Sequence, residues 1–144
     1  MTYQFARINL TKTTYHDTIP WKIMNPVPLD DVIRVYKEYC RHKNFQSVMP
    51  MVAGRFLVPG TEVIGYYDNN ELIAWSMYRI WDDESIVTDH HAWNYKNPKL
   101  RLGIRSLENE CAIYRNRGFK YMYIESIQNY MFNLEGIELL GPIK

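Results

Sequence analysis

The strand predicted between Glu71 and Trp81 constrains the fold most, because both of its alternating sets of side chains are apolar. One set contains Leu72, Ala74, Tyr78 and Ile80, and the other contains Ile73, Trp75, Met77 and Trp81. Successive side chains of a strand point to opposite faces of a sheet. A strand that is apolar in both sets is therefore covered on both faces. The sequence predicts a layered α/β domain rather than a sheet with one face in water.

Two further strands flank this one. Glu62–Asp68 precedes it across Asn69-Asn70, a two-residue link that suits a tight hairpin because asparagine tolerates positive φ. Glu84–Tyr95 follows it after a turn at Asp82-Asp83. The three segments predict an antiparallel meander.

The clearest helix comes next, and it converts the meander into a mixed sheet. Its apolar residues step by four, three, four and three: Leu100, Ile104, Leu107, Cys111 and Tyr114. Asn97 is a good N-cap, Pro98 suits the first helical position, and Gly118 ends the helix. Phe119–Glu125 then reads as a strand. Strand, helix and strand of this length predict a βαβ crossover, which places two parallel neighbours in the sheet.

The remaining segments complete a single domain over residues 1–144. We predict an opening strand at Tyr3–Leu10, an irregular connection at Thr11–Pro28, a helix at Leu29–Lys43, a short helix at Phe45–Ala53, and a last strand at Ile137–Leu140. The helix at Leu29–Lys43 carries acids in its first turn and bases in its last, so both ends complement the helix dipole.

The charge balance and the cysteines indicate which partners and which cellular compartment to expect. Seventeen basic residues stand against sixteen acidic ones, and this balance disfavours a large nucleic-acid footprint. Cys40 and Cys111 both fall on apolar helix stripes, which predicts buried thiols in a reducing compartment. The N-terminus has no signal-peptide pattern, and no apolar run approaches the roughly 20 residues that span a bilayer. We therefore expect a cytoplasmic protein without a membrane partner.

Four short segments accompany this order of elements: Glu71-Leu72-Ile73-Ala74, Trp93-Asn94-Tyr95, Lys99-Leu100-Arg101-Leu102-Gly103 and Gly118-Phe119-Lys120-Tyr121-Met122-Tyr123-Ile124. The segments and the order of the elements resemble the GNAT N-acyltransferase superfamily, and within it the C-terminal domain of arginyl-tRNA–protein transferases. The resemblance implies a mixed, mostly antiparallel sheet with one βαβ crossover and helices on both faces.

The same resemblance implies a function. An acyl or aminoacyl group would pass to a primary amine on a small molecule or a peptide. Acetyl-CoA or another acyl-CoA would be the donor, with charged tRNA as an alternative that the low net charge disfavours. Such domains often form homodimers through their C-terminal part.

The start of the predicted crossover helix is the candidate donor site. A helix start offers unpaired N–H groups and attracts anions. Cations there are unfavourable unless an anion compensates them, and no acid precedes Glu108 in this turn. We predict a phosphate or pyrophosphate site formed by Lys99, Arg101, Leu102, Gly103, Ile104, Arg105 and Ser106. The alternative is that these basic side chains simply extend into water.

The donor motif of the superfamily differs from this turn at two places. The motif reads Arg or Gln, two residues, Gly, one residue, then Gly or Ala. Here Leu100, Gly103 and Arg105 occupy those places. A bulky arginine where a small residue lets the backbone approach a phosphate supports a second hypothesis, a GNAT-shaped binding module without a donor site.

Four residues are candidates for catalysis. Asp89 and His91 share one face of their strand, and a histidine beside a carboxylate can act as general base, although such a pair is often only structural. Glu125 closes the strand after the helix and could hold the acceptor ammonium or act as the base. The resemblance implies a tyrosine as general acid, for which we choose Tyr130. We expect no metal site, since two ligands on one face are too few.

The tryptophans are expected to line the core or a pocket, because no basic groove accompanies them. They are Trp21, Trp75, Trp81 and Trp93.

Overall fold

The structure is a computed structural model that describes residues 4–45, 53–94, 98–124 and 127–142. The strands are Gln4–Asn9 (β1), Trp21–Ile23 (β2), Thr61–Asp68 (β3), Glu71–Ile80 (β4), Ser85–Trp93 (β5), Tyr121–Ile124 (β6) and Ile137–Pro142 (β7). The helices are Leu29–Lys43 (α1), Ala53–Phe56 (α2) and Leu102–Asn116 (α3), with short 3-10 turns at Leu10–Lys12, Pro98–Leu100 and Asn129–Asn133.

The strands form one seven-stranded sheet in the order β2-β3-β4-β5-β6-β1-β7. β2 is antiparallel to β3, and β1 is antiparallel to both β6 and β7. β5 and β6 are parallel, with Ser85 opposite Tyr121 and Val87 opposite Tyr123. The predicted mixed sheet with a βαβ crossover through α3 is therefore confirmed.

Local signals placed several boundaries correctly. α1 begins at Leu29 and ends at Lys43, with Asp30 and Asp31 in its first turn. Asn44 closes it in a left-handed conformation at φ 59°, and its N–H bonds to the Arg41 and Cys40 carbonyls. Asn69 and Asn70 have φ values of 51° and 65°, which confirms the hairpin between β3 and β4.

The structure differs from the sequence-based expectation at two places. β2 lies inside the connection predicted as irregular, because its hydrogen bonds come from β3 rather than from a local pattern. α3 begins at Leu102 rather than Pro98, because Arg101 adopts φ 49° after a separate 3-10 turn. A four-residue helix lies at Ala53–Phe56; the helix predicted at Phe45–Ala53 falls mostly on residues 46–52, which lie outside the described residues, as does Asn97.

The chain divides into two compact units. One, the meander unit, comprises Ile19–Tyr78 and Asp89–Ser106. Its core packs α1 against one face of β3 and β4, and the Trp75 indole N–H donates to the Val32 carbonyl at 3.0 Å. On the opposite face of β3, the Tyr66 hydroxyl donates to the Ser106 carbonyl of α3 at 3.0 Å. Helices therefore cover both faces, as the doubly apolar β4 requires.

The other, the terminal unit, contains residues 4–18, 79–88 and the described part of 107–142. Its core includes Ile8, Tyr114 and Met122, all fully buried. The irregular segment before β2 is fixed to α3 by side chains: Arg115 donates to the Thr13 and Tyr15 carbonyls, and Thr18 N–H donates to Asn109 Oδ1 at 2.8 Å.

Both cysteines are buried and unpaired, as predicted. Burial raises the pKa of the Cys111 thiol, so this residue behaves as a small apolar side chain. Of the tryptophans, Trp75 is fully buried, but Trp81 is 76% exposed, so the expectation for Trp81 was wrong. Trp81 follows β4 directly, at the turn that leads into β5. Among the described helices, none is long and apolar enough to cross a membrane.

Candidate functional site

The start of α3 presents backbone amides that have no partner within the helix. The amide of Arg105 donates to the Arg101 carbonyl at 3.0 Å. The amides of residues 102–104 precede that bond, and the first amides of an α-helix have no carbonyl four residues back. Within the predicted donor site, the amides of residues 102–104 thus have no partner inside α3, whereas the Arg105 amide is bonded to Arg101; donor binding by the site stays a prediction.

The three basic side chains of this turn differ in their exposure to solvent. Lys99 and Arg101 are exposed, and the first turn of α3 contains no acidic residue. Arg105 is half-buried and bends back, so that its Nη1 lies 3.3 Å from the Leu100 carbonyl oxygen. The turn therefore keeps a positive field in front of the amides, although Arg105 packs over the turn.

Gly103 lies directly beneath the indole of Trp93. A Cβ built on this glycine would lie 2.9 Å from Trp93 Cζ2, closer than carbon atoms approach without displacement. The glycine of the predicted donor motif is therefore required for contact between β5 and α3. Leu102 is buried beside it, and Ile104 is half-buried.

Aromatic rings surround His91. Its imidazole stacks on Trp93 at a centroid distance of 5.3 Å and an interplanar angle of 14°. Tyr39 of α1 contacts Trp93 at 4.6 Å and His91 at 6.0 Å. The Lys43 ammonium lies 5.5 Å from the Trp93 ring centroid, within cation–π range. We name Tyr39, His91, Trp93 and Lys43 the aromatic cluster.

This environment keeps His91 neutral. Burial, together with the charges of His90 and Lys43, lowers the pKa of His91 to about 4. The neutral imidazole can accept a proton or a hydrogen bond at pH 7. Its proton affinity is low for a general base, which works best with a pKa near the operating pH.

Asp89 is oriented by an arginine of α2. Its Oδ1 lies 3.8 Å from Arg55 Nη2. The pKa of neighbouring His90 is lowered by burial and by Arg55, and raised by Asp89. His90 itself stacks on Trp75 at 6.2 Å. The electrostatic influence of Asp89 thus falls on Arg55 and His90, and its predicted pairing with His91 stays a prediction.

The other two catalytic candidates are placed differently. Tyr130 lies in the 3-10 turn Asn129–Asn133 of the terminal unit and is 39% exposed. Glu125 lies outside the described residues. Among the described residues, no three His, Cys, Asp or Glu side chains come together in a way that could hold a metal ion.

Sequence reasoning missed Tyr39, Lys43 and Arg55. Tyr39 and Lys43 belong to α1, more than forty residues before Trp93, and no local spacing connects them. The contact with Trp93 depends on how α1 lies across the sheet, which a single sequence does not encode locally.

Comparison with known proteins identifies the fold. No family model matches the chain, and no curated protein matches it. Solved structures do. A GCN5-related N-acetyltransferase from Kribbella flavida aligns over 99% of this chain and 56% of its own, with a TM-score of 0.62 and 7% identity. N-myristoyltransferase from Saccharomyces cerevisiae, with bound myristoyl-CoA, aligns over 99% and 48%, with a TM-score of 0.66 and 10% identity.

A third similar structure is the C-terminal domain (DUF2156) of a protein assigned as a lysylphosphatidylglycerol synthetase from Agrobacterium fabrum. It aligns over 88% of this chain and 47% of its own, with a TM-score of 0.66 and 11% identity. The chain thus spans about half the length of each of these structures. At such identities the likeness establishes the fold alone, and the fold is of the GNAT type.

Proposed function

We propose that this protein transfers an acyl or aminoacyl group to a primary amine. The observation that carries the proposal is the start of α3, where the amides of residues 102–104 meet exposed Lys99 and Arg101 with no acid in the first turn. Such a helix start suits a donor phosphate. The GNAT-type fold supports the same reaction class by analogy.

The donor would supply an activated acyl carbonyl. Acetyl-CoA, another acyl-CoA or an aminoacyl-tRNA of the kind used by arginyl-tRNA–protein transferases fits this role. The three amides and the two exposed cations would hold its phosphate. Held in this way, the carbonyl needs mainly positioning relative to the amine, and positioning supplies a large part of such rate gains.

The catalytic candidates named from the sequence would accept and donate the protons of the reaction. The amine nitrogen bonds to the acyl carbon as the bond to the leaving sulfur or oxygen breaks. His91 or Glu125 would take the proton that the amine loses, and Tyr130 would return a proton to the leaving group. Asp89, which shares a face of β5 with His91 and lies 3.8 Å from Arg55, would support His91 as the base.

A second function has its own support in the structure. Trp93 covers Gly103, and Arg105 packs onto the Leu100 carbonyl. Both side chains occupy space near the backbone that a donor phosphate would approach. A GNAT-shaped binding module that no longer takes a donor is therefore the alternative.

Thermal shift measurements separate the two functions. The protein is melted alone and with acetyl-CoA, coenzyme A or a pool of charged tRNA, because a ligand that binds only the native state raises Tm. A rise with one donor supports transfer and identifies its class. The Lys99→Gln/Arg101→Gln variant should lose that rise, whereas Lys37→Gln/Arg41→Gln on exposed α1 positions should keep it. No rise with any donor supports the binding module.

The proposal includes cytoplasmic location and pairing of two copies. On edge strand β7, Leu139 and Leu140 are 54% and 49% exposed, and an exposed apolar edge favours self-association. Sedimentation velocity at several concentrations tests the pairing. A single monomeric species at every concentration would refute it.

A further inference from the structure

The turn between β4 and β5 holds a tryptophan largely in water. Trp81 is 76% exposed, whereas Trp75 of the preceding strand is fully buried. Within the described part of the chain, the indole of Trp81 has no hydrogen bond and no ring contact. Tryptophan is enriched where protein surfaces meet, and its truncation often costs much of the binding energy. Trp81 therefore offers a large contact area to a partner.

Hydrogen bonds fix the backbone of this turn. The Trp81 amide donates to the Ser85 carbonyl at 2.9 Å, and the Glu84 amide donates to Asp82 Oδ1 at 2.9 Å. The Lys120 amide donates to the Glu84 carbonyl at 2.8 Å, which ties the turn to the segment before β6. Because the turn is already ordered, it loses little conformational freedom when it binds.

The turn carries negative charge that the protein does not compensate. Asp82 and Asp83 are exposed, and neither carboxylate forms an ion pair with a described residue. The third acid, Glu84, pairs with Lys120 at 2.9 Å, and Arg79 of β4 has its partner outside this turn. Two carboxylates thus lie within two residues of the indole, which places their Cα atoms at most about 7.6 Å from that of the tryptophan.

This combination of groups selects a cation. A guanidinium on the face of an indole is attracted by the ring quadrupole, and tryptophan is the best ring for this contact. Arginine also pairs with carboxylates through two parallel hydrogen bonds. The same carboxylates repel the phosphates of nucleic acids and of anionic lipids, so these partners are disfavoured.

We propose that Trp81, Asp82 and Asp83 form a docking surface for an arginine-rich segment of a partner protein. An arginine side chain stacks on the indole, and neighbouring arginines pair with the two carboxylates. The inference does not depend on the transferase proposal, because none of the three residues belongs to the α3 start or to the catalytic candidates. Peptide docking here and donor binding at α3 can succeed or fail separately.

Three peptides of equal length test the proposal. One contains four Gly-Arg repeats, and the other two carry lysine or glutamate in place of arginine. Their affinities are measured from amide and indole chemical shifts, and the Trp81 indole signal is identified by its loss in Trp81→Phe. We expect the arginine peptide to bind most tightly and the glutamate peptide not to bind. Shifts should concentrate at residues 79–85, and added salt should weaken binding.

Variants separate the ring from the charge. Trp81→Leu keeps an apolar side chain without the ring and should weaken the arginine peptide about two- to fivefold, with Trp81→Phe in between. Asp82→Asn/Asp83→Asn should weaken binding and reduce its salt dependence, while the amide oxygen at position 82 can still accept the Glu84 amide. The matched control, Asp30→Asn/Asp68→Asn, removes two exposed carboxylates outside the turn and should change nothing.

Several outcomes would overturn the proposal. They are equal affinity for the arginine and glutamate peptides, no binding of any peptide, and equal weakening by the two double variants. A shift of the Trp81 indole signal with protein concentration alone would show that a second copy of this chain occupies the surface instead.

Discussion

Trp93 lies over Gly103 at a distance that leaves no room for a side chain on the glycine, since a Cβ there would be 2.9 Å from Cζ2. This contact joins the end of β5 to the first turn of α3. We predict that Gly103→Ala destabilises the protein by about 1 kcal/mol, because overpacking costs ~1–3 kcal/mol and alanine regains about 1 kcal/mol in a helix. Urea unfolding measures the change.

The sign of this effect depends on the tryptophan. In a Trp93→Leu background, Gly103→Ala should become neutral or stabilising, because the rigid ring is gone. Gly54→Ala is the control, since a Cβ there would meet nothing within 4 Å. Equal destabilisation by Gly103→Ala in both backgrounds would contradict the contact.

His91 should make stability depend on pH. Its pKa falls from 6.5 to about 4 in the folded protein, so the unfolded chain binds more protons between these values. Its contribution to stability is complete above pH 6.5 and is lost as pH falls to about 4. One pKa unit corresponds to ~1.4 kcal/mol, so the loss is at most roughly 3–4 kcal/mol.

Urea unfolding at pH 7 and pH 4.5 tests this dependence. His91→Phe keeps an aromatic ring beside Trp93 but cannot be protonated, so the variant should lose less stability between the two pH values than the unmodified protein. His42→Gln changes an exposed histidine of α1 and should leave the difference unaltered. If His91→Phe and His42→Gln behave alike, His91 is not buried as described.

The ion pair between Arg7 of β1 and Glu138 of β7 should lower the pKa of Glu138. Arg7 Nε donates to Glu138 Oε1 at 2.6 Å, and its guanidinium lies 4.3 Å from the Tyr121 ring centroid. The hydrogen bond from Arg7 holds the pKa of Glu138 below its usual value. Its stabilising effect is therefore present above the usual carboxyl range and is lost as pH falls through the lowered pKa.

Carboxyl chemical shifts followed against pH give the Glu138 pKa directly. Arg7→Met should raise it towards the value of a free glutamate. Arg34→Met removes a different surface pair, with Glu71, and should leave Glu138 unchanged. An identical Glu138 titration in Arg7→Met would rule out the pair.

Trp75 should be the tryptophan that contributes most to stability. It is fully buried, and its indole N–H donates to the Val32 carbonyl at 3.0 Å. Trp75→Phe loses this bond and leaves a cavity, at a cost of about 2–3 kcal/mol. Trp81→Phe changes a largely exposed ring and should stay within about 0.5 kcal/mol of the unmodified protein. Denaturant unfolding of the two variants side by side provides the comparison.

The sequence predicts those parts of the fold that depend on neighbours along the chain. The bounds of α1 follow from the acidic residues in its first turn and the basic residues in its last. The parallel pairing of β5 and β6 follows from the helix that connects these two strands. β2 could not be predicted, because three residues become a strand only by pairing with β3. The start of α3 was misplaced because the left-handed conformation of Arg101 has no sequence signal, unlike that of Asn69 or Asn70.

The features of the candidate site also divide into those that the sequence predicts and those that it does not. The cationic helix start and Gly103 were visible in the sequence. The position of Tyr39 against Trp93 and of Arg55 against Asp89 was not, because both contacts join segments that are distant along the chain. Burial lowers the pKa values of His90 and His91, and Arg55 adds to this for His90 and Lys43 for His91. The sequence therefore named His91 as a candidate base without indicating its pKa.

The hydrogen bond from Tyr66 to the Ser106 carbonyl links the centre of β3 to the N-terminal part of α3 across forty residues. The tyrosine ring is fully buried, so the helix cannot unwind past Ser106 without also exposing part of the sheet. Amide hydrogens in the two segments should therefore exchange with solvent in one cooperative opening. The stability of the glycine-containing start of α3 is thereby coupled to that of β3.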